Sequence, residues 1–124
     1  MERPRQRKRR WRDYTSKTGR RPVKEFIDKL TPDQRSEVVA AMHVVLLAGT
    51  QAARHLRGDI YEVRADAGDV IFRMLFAEEG RYSQVLLALE AFSKKSRRTP
   101  PPKIELAQRR LADWRSRGRL RVIK

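Results

Sequence analysis

The chain has 124 residues, enough for one domain with one modest core, and 40% of them are hydrophobic. Its net charge is +15, and it has no cysteine, which excludes a disulfide framework and a thiolate site. His43 and His55 alone do not make a metal site, and no window approaches the roughly 18 apolar residues that span a bilayer, so metal-free, cofactor-free work in the cytoplasm is expected, with no membrane and no small-molecule ligand.

The charge sits at the two ends. Residues 1–13 carry seven Lys/Arg against Glu2 and Asp13, residues 91–124 carry twelve against Glu105 and Asp113, and the stretch between is neutral. Basic ends around a neutral body point to a polyanion, either nucleic acid or an acidic protein, with binding that weakens as salt rises.

MERPRQRKRR has almost nothing to bury, so residues 1–13 are expected to be a flexible basic arm, although Trp11 and Tyr14 admit an extra first strand. From Pro22 to Leu30 the 3–4 residue spacing of Val23, Phe26, Ile27 and Leu30 predicts a short amphipathic helix. Thr31 as cap, Pro32 at the first position and Gln34 closing a capping box predict a second helix over about Pro32 to Ala48, ended by Gly49. After a polar connection, IYEVR, VIFRMLF and VLLALEAF follow at roughly ten-residue spacing with DAGD and EEG between them, the pattern of a three-stranded antiparallel meander. Ile104, Leu106, Ala107, Leu111 and Trp114 trace a last amphipathic helix from Pro100–Pro102, leaving 118–124 as a tail.

The expected fold class is therefore α+β: two N-terminal helices packed on one face of an antiparallel sheet, followed by a C-terminal helix. Alternation puts Tyr61, Val63 and Ala65 on one sheet face with Phe72, Met74 and Phe76, and puts Arg64 and Arg73 on the other, near Lys94. A lone strand cation is costly unless it meets solvent or an anion, so an open basic sheet face for a phosphate backbone is one reading. The other is a cross-strand pairing of Arg64 and Arg73 with Glu62 or Glu90.

Taken in order and spacing, GRRPVKEF, LRGDIYEVR, VIFRMLF, AFSKKSRRTP and IELAQRRLADW resemble the HigB branch of the RelE-like toxins of bacterial toxin–antitoxin systems. The resemblance covers about residues 14–117, which are expected to form the toxin domain, and its most specific piece runs from Phe92 to Arg110. It implies a metal-independent endoribonuclease that cuts mRNA on the ribosome and is silenced by a HigA-type helix-turn-helix antitoxin. By position within the family pattern Arg73 is expected to hold the scissile phosphate, with Arg64, Lys94 and Lys95 beside it. Phe92, Arg57, Arg97, Arg98 and His55 are expected to contact RNA. The proton-transfer groups do not follow from the resemblance: a lysine of lowered pKa, His55, Glu62 and Glu90 all remain open. Two alternatives stand beside this function, a related toxin that inhibits DNA gyrase and a non-catalytic basic nucleic-acid-binding module. A helix-turn-helix pattern is absent, which counts against a DNA-reading regulator.

Overall fold

The structure, a computed structural model, describes residues 8–94 and 97–123, with side chains through Gly118. Along the chain run β1 (Arg10–Asp13), α1 (Pro22–Asp28), α2 (Pro32–Ala48), a 3-10 turn (Gly49–Ala52), β2 (Arg54–Arg57), β3 (Ile60–Ala67), β4 (Val70–Glu79), β5 (Val85–Ser93) and α3 (Pro101–Ile123). The fold is α+β, with one five-stranded mixed sheet in the order β1-β5-β4-β3-β2.

The helices begin and end for local reasons. Thr31 Oγ1 accepts from Gln34 N–H at 3.2 Å while Gln34 Oε1 accepts from Thr31 N–H at 3.0 Å, so the capping box satisfies orphan donors at the start of α2. At its other end the chain turns at Gly49 with φ +70°, where an added Cβ would stand 2.8 Å from the Arg9 guanidinium. That guanidinium donates to the carbonyls of Leu46 and Leu47, placing a cation on the negative end of the helix. Between β3 and β4 a two-residue connection opens with Gly68 at φ +67°, as a tight hairpin turn of this hand requires.

The meander of β3, β4 and β5 forms as the spacing predicts, and two further strands flank it. β2 lies antiparallel to β3 in the segment read as a polar connection. β1 lies parallel to β5, so the extra N-terminal strand forms and the flexible-arm assignment does not hold for Arg10–Asp13. Trp11 fixes this strand: its indole N–H donates to the Met42 carbonyl at 2.8 Å and its ring meets Phe76 edge-on at 5.2 Å. Residues 1–7 of the expected arm lie outside the described residues. At the other end α3 continues to Ile123, through most of the stretch expected to be a tail.

Both sheet faces are covered. α1 and α2 pack over Val63, Phe72, Met74, Phe76, Leu86 and Ala88. On the reverse face Ala107 and Leu111 of α3 pack on Ile60, Leu75, Leu87, Leu89 and Phe92. The expected open face is therefore a second core. Tyr14 closes it at the β1 edge, where its hydroxyl donates to Asp113 at 2.5 Å and Arg117 donates to both Asp113 and the Thr15 carbonyl. The Tyr14 hydrogen bond, helped by Arg117, holds the Asp113 carboxyl below its ordinary pKa, while desolvation, with Asp113 second, raises that of Tyr14.

Two outcomes follow. Trp11→Ala is expected to destabilise the protein by roughly 3 kcal/mol in urea unfolding, because it removes a large ring packed on Phe76 together with a helix-sheet hydrogen bond. A carboxyl with a lowered folded pKa stabilises the fold above its unfolded pKa, and that contribution is lost as pH falls through the folded value. The stability deficit of Asp113→Asn should accordingly be present at neutral pH and shrink in urea titrations carried down to about pH 3, well into the carboxylate range.

A buried ion pair beneath a cationic rim

Arg73 projects from the central strand β4 into the space between the sheet and the start of α3. Its side chain is 0% exposed, as is that of Glu62 from β3, and the two pair at 3.0 Å. The Thr99 hydroxyl, just before α3, donates to the other Glu62 oxygen and lies 3.5 Å from the Arg73 guanidinium. A strand cation and a strand carboxylate thus pair inside the fold, as charges in such surroundings require. Of the two readings of Arg73 open from the sequence, the cross-strand pairing is the one the structure shows, and Arg73 is not solvent-facing.

Arg64 stands directly opposite Arg73 in the β3–β4 register. Its side chain remains 43% exposed, with its Nε 3.9 Å from Glu62, so it carries the charge of this face outward. Arg54 of β2 is opposite Glu62 in register and exposed, placing a further cation beside the pair. The sequence reading missed Arg54 because β2 was not recognised as a strand. Lys94, Arg97 and Arg98 are exposed at the end of β5 and in the approach to α3, where Lys94 N–H prolongs the β4–β5 pairing by donating to the Ile71 carbonyl at 3.0 Å. Lys95 lies outside the described residues.

A second carboxylate reaches the same sheet face through an irregularity. The β4–β5 register pairs Leu75 with Glu90 but Phe76 with Ala88, so the extra residue Leu89 makes a bulge, a device that re-aims side chains. Strict alternation from Leu86 and Ala88 would send Glu90 into the apolar core under α1 and α2. The bulge turns it toward α3 instead, where Lys103 pairs with it at 2.9 Å and Arg110 at 3.3 Å. Arg110 also donates to the Leu89 carbonyl at 2.7 Å.

Two expected RNA contacts take other places. Phe92 is 7% exposed, packed in the α3 core with the Lys103 ammonium 5.3 Å from its ring, so it offers no open stacking surface. His55 is exposed but pairs with Tyr61, whose side chain belongs to the opposite sheet face. Its ring meets Tyr61 at 5.2 Å and Nε2 lies 2.7 Å from the Gly58 carbonyl. Arg57 is exposed at the β2–β3 turn. The structure therefore brings Arg64, Lys94, Arg97 and Arg98 to the surface around the buried Glu62–Arg73–Thr99 network, and sets Phe92 and His55 apart from them.

An α+β domain with an arginine-lined face built on a buried strand arginine defines a class that sequence comparison makes specific. Residues 25–112 match the family model described as "Phage derived protein Gp49-like (DUF891)". The chain is also 36% identical over 109 residues, 85% of its length and 84% of theirs, to proteins from two strains of Mycobacterium tuberculosis named "Probable endoribonuclease HigB1". The chain belongs to the Gp49-like family and is a HigB-type toxin. Among the described residues no helix is long and apolar enough to cross a membrane.

The buried pair yields a sharp expectation. Removing one partner leaves the other charge uncompensated, so Glu62→Ala and Arg73→Ala should each cost roughly 3–5 kcal/mol in urea unfolding. Arg64→Ala should cost less than about 1 kcal/mol, because its contact with Glu62 is long and half exposed. The double replacement Glu62→Gln/Arg73→Met should recover much of the loss, and additive losses would contradict the pairing.

Proposed function

We propose that this chain is the toxin of a toxin–antitoxin pair and acts as an endoribonuclease on mRNA held in the ribosome, in the cytoplasm and without a metal. The observation that carries this reading is the surface cation set Arg64, Lys94, Arg97 and Arg98, exposed beside the buried Glu62–Arg73–Thr99 network. The 36% identity to a protein named an endoribonuclease supports the reaction class.

RNA cleavage of this kind needs the 2′-oxygen in line with the adjacent phosphorus. The 2′-hydroxyl loses its proton as the oxygen attacks, the bond from phosphorus to the 5′-oxygen breaks, and that oxygen takes a proton. A 2′,3′-cyclic phosphate and a 5′-hydroxyl result. Negative charge grows on the phosphorane oxygens during the step, and donors already aimed at them lower the barrier. Arg64 has both the exposure and the anchoring for that role, since its backbone is held opposite Arg73 and its guanidinium leans toward Glu62. Lys94 supplies a second, exposed charge from the end of β5. Arg97 and Arg98 bind the flanking phosphates. Arg73 acts as a positioning residue: by neutralising Glu62 it lets the cations outside it face the phosphate without an opposing carboxylate.

The same geometry supports dependence on the ribosome. Glu62 and Glu90 are both engaged by cations inside the fold, and Phe92 is packed in the core, so this face offers charge but little to align a flexible strand. A ribosome that holds the codon in place would supply that alignment. The cognate partner in this reading is a HigA-type helix-turn-helix antitoxin.

Mapping of mRNA 5′ ends in a translation extract, with and without ribosomes, tests the proposal. Wild type should create new ends within codons of translated mRNA only. Arg64→Ala/Lys94→Ala should reduce their rate of appearance by roughly 10²–10³-fold while the protein stays folded. Cuts in untranslated RNA would remove the ribosome from the mechanism, and no cuts by folded wild type would send the search to gyrase inhibition and simple nucleic-acid binding.

A further inference from the structure

The far side of α3 carries a second charged surface that the proposed reaction does not use. Two open clefts of about 400 and 420 Å³ lie along the helix, walled on the opposite side by β1 and the chain that follows it. Arg20, Arg109 and Arg110 line the first, and Arg12 and Arg117 line the second. Asp113 is the carboxylate in the wall of the first, and it is already occupied by the Tyr14 hydroxyl and Arg117. Arg12 and Arg109 are exposed and have no carboxylate partner among the described residues. Arg20 pairs with Glu25 at 2.8 Å, Arg110 with Glu90 and Arg117 with Asp113, so Arg12 and Arg109 are the cations of these walls left for an incoming anion to neutralise.

The aromatic content gives the anion its class. The Arg12 guanidinium sits 4.9 Å from the Trp114 ring centroid and that of Arg117 lies 5.9 Å from it, while Arg110 and Arg117 flank Tyr14 at 5.7 and 5.5 Å. Tyr14 is 6% exposed and stays in the core, so the half-buried Trp114, with Arg12 and Arg117 at its ring, is the stacking face of the groove, and guanidinium groups beside such a ring suit a ligand that carries both phosphates and flat bases. An acidic peptide would use only the charges. Arg110 reaches both surfaces, since it pairs with Glu90 on the site side and lines the first cleft on the other. From Leu106 to Gly118 the helix spans roughly 18 Å at its regular rise, long enough for several nucleotides.

We infer that this α3–β1 groove binds the backbone and bases of single-stranded RNA, as a sequence-tolerant site separate from the reacting face. The inference goes beyond the cleavage reading and does not depend on it. Binding is measured by fluorescence anisotropy with a 2′-O-methylated uridine oligomer, which presents phosphates and bases but no attacking 2′-hydroxyl, over a range of salt. The charge-reversal variant Arg12→Glu/Arg20→Glu/Arg109→Glu should weaken binding at least tenfold and lower the salt slope by about 2, since each phosphate neutralised on a single strand adds roughly 0.7 to it. The variant Lys24→Glu/Lys29→Glu/Arg81→Glu, with the same change in net charge on other exposed positions, should lose less than threefold. Should the groove triple fail to fold, Arg109→Gln alone should lower the slope by about 0.7. Oligomer binding should also change tryptophan emission in wild type and not in Trp114→Phe.

Equal losses in the two triple variants would show diffuse attraction to a basic protein and overturn the inference. So would losses confined to Arg64→Glu/Lys94→Glu/Arg97→Glu. Displacement of the oligomer by a polyglutamate peptide of equal charge, with the same change in Trp114 emission, would assign the groove to an acidic protein instead.

Discussion

A cation inside a sheet covered on both faces is the constraint around which this molecule is arranged. Arg73 sits on the central strand with its side chain fully withdrawn from water, and the desolvation of two such charges costs several kcal/mol per ion unless geometry and hydrogen bonds offset it. The offset comes from three elements at once: β3 supplies Glu62, the segment before α3 supplies Thr99, and the β4 backbone holds Arg73 opposite Arg64. The start of α3 is therefore fixed to the sheet by a polar network as well as by the apolar contacts of Ala107 and Leu111. A packed apolar trio would stabilise this junction at least as well, so the network is better understood as orienting its neighbours. It holds Glu62 inside the fold, with Arg64 3.9 Å from it.

How much of this the residues reveal on their own depends on whether the signal is local. The capping box of Thr31 and Gln34, the stop at Gly49 and the DAGD turn are local chemistry, and the elements they bound form where the sequence places them. β2 is legible only through its partner, because RHLR has no apolar alternation and becomes a strand by pairing with β3. The position of α3 does have a signal in the strands it covers. VIFRMLF and VLLALEAF are almost continuously apolar, the pattern of strands buried on both faces, whereas a half-exposed strand alternates. Taken at face value, those runs demand a cover for the second face, and the only amphipathic element left to supply it is α3.

The site was partly legible for the same reason. Alternation places Arg64 and Arg73 on one face, and that placement holds, but period alone says nothing about depth. Glu62, two residues before Arg64, was the available hint: same-face neighbours of opposite sign on adjacent strands tend to pair. Glu90 could not be assigned to a face at all, because its direction is set by the Leu89 bulge and not by counting from Leu86. Phe92, within the most family-specific segment, follows the core because Lys103 and α3 close over it.

The long-range organisation of charge is the part no window of sequence contains. The basic ends lie almost a full chain length apart in sequence, yet parallel pairing of β1 with β5 and packing of α3 across the same edge bring Arg12 beside Trp114 and Arg117 beside Tyr14. Such convergence raises self-repulsion, and the fold answers it at particular points. Asp113 lies beside Arg117, Glu90 between Lys103 and Arg110, and Glu79 against Arg115. These carboxylates hold the inner cations in place and leave Arg12 and Arg109 uncompensated at the surface. A protein selected only for solubility would gain from spreading its charge. Anchoring the inner arginines with carboxylates while Arg12 and Arg109 stay bare keeps a strong local field at fixed positions on the surface.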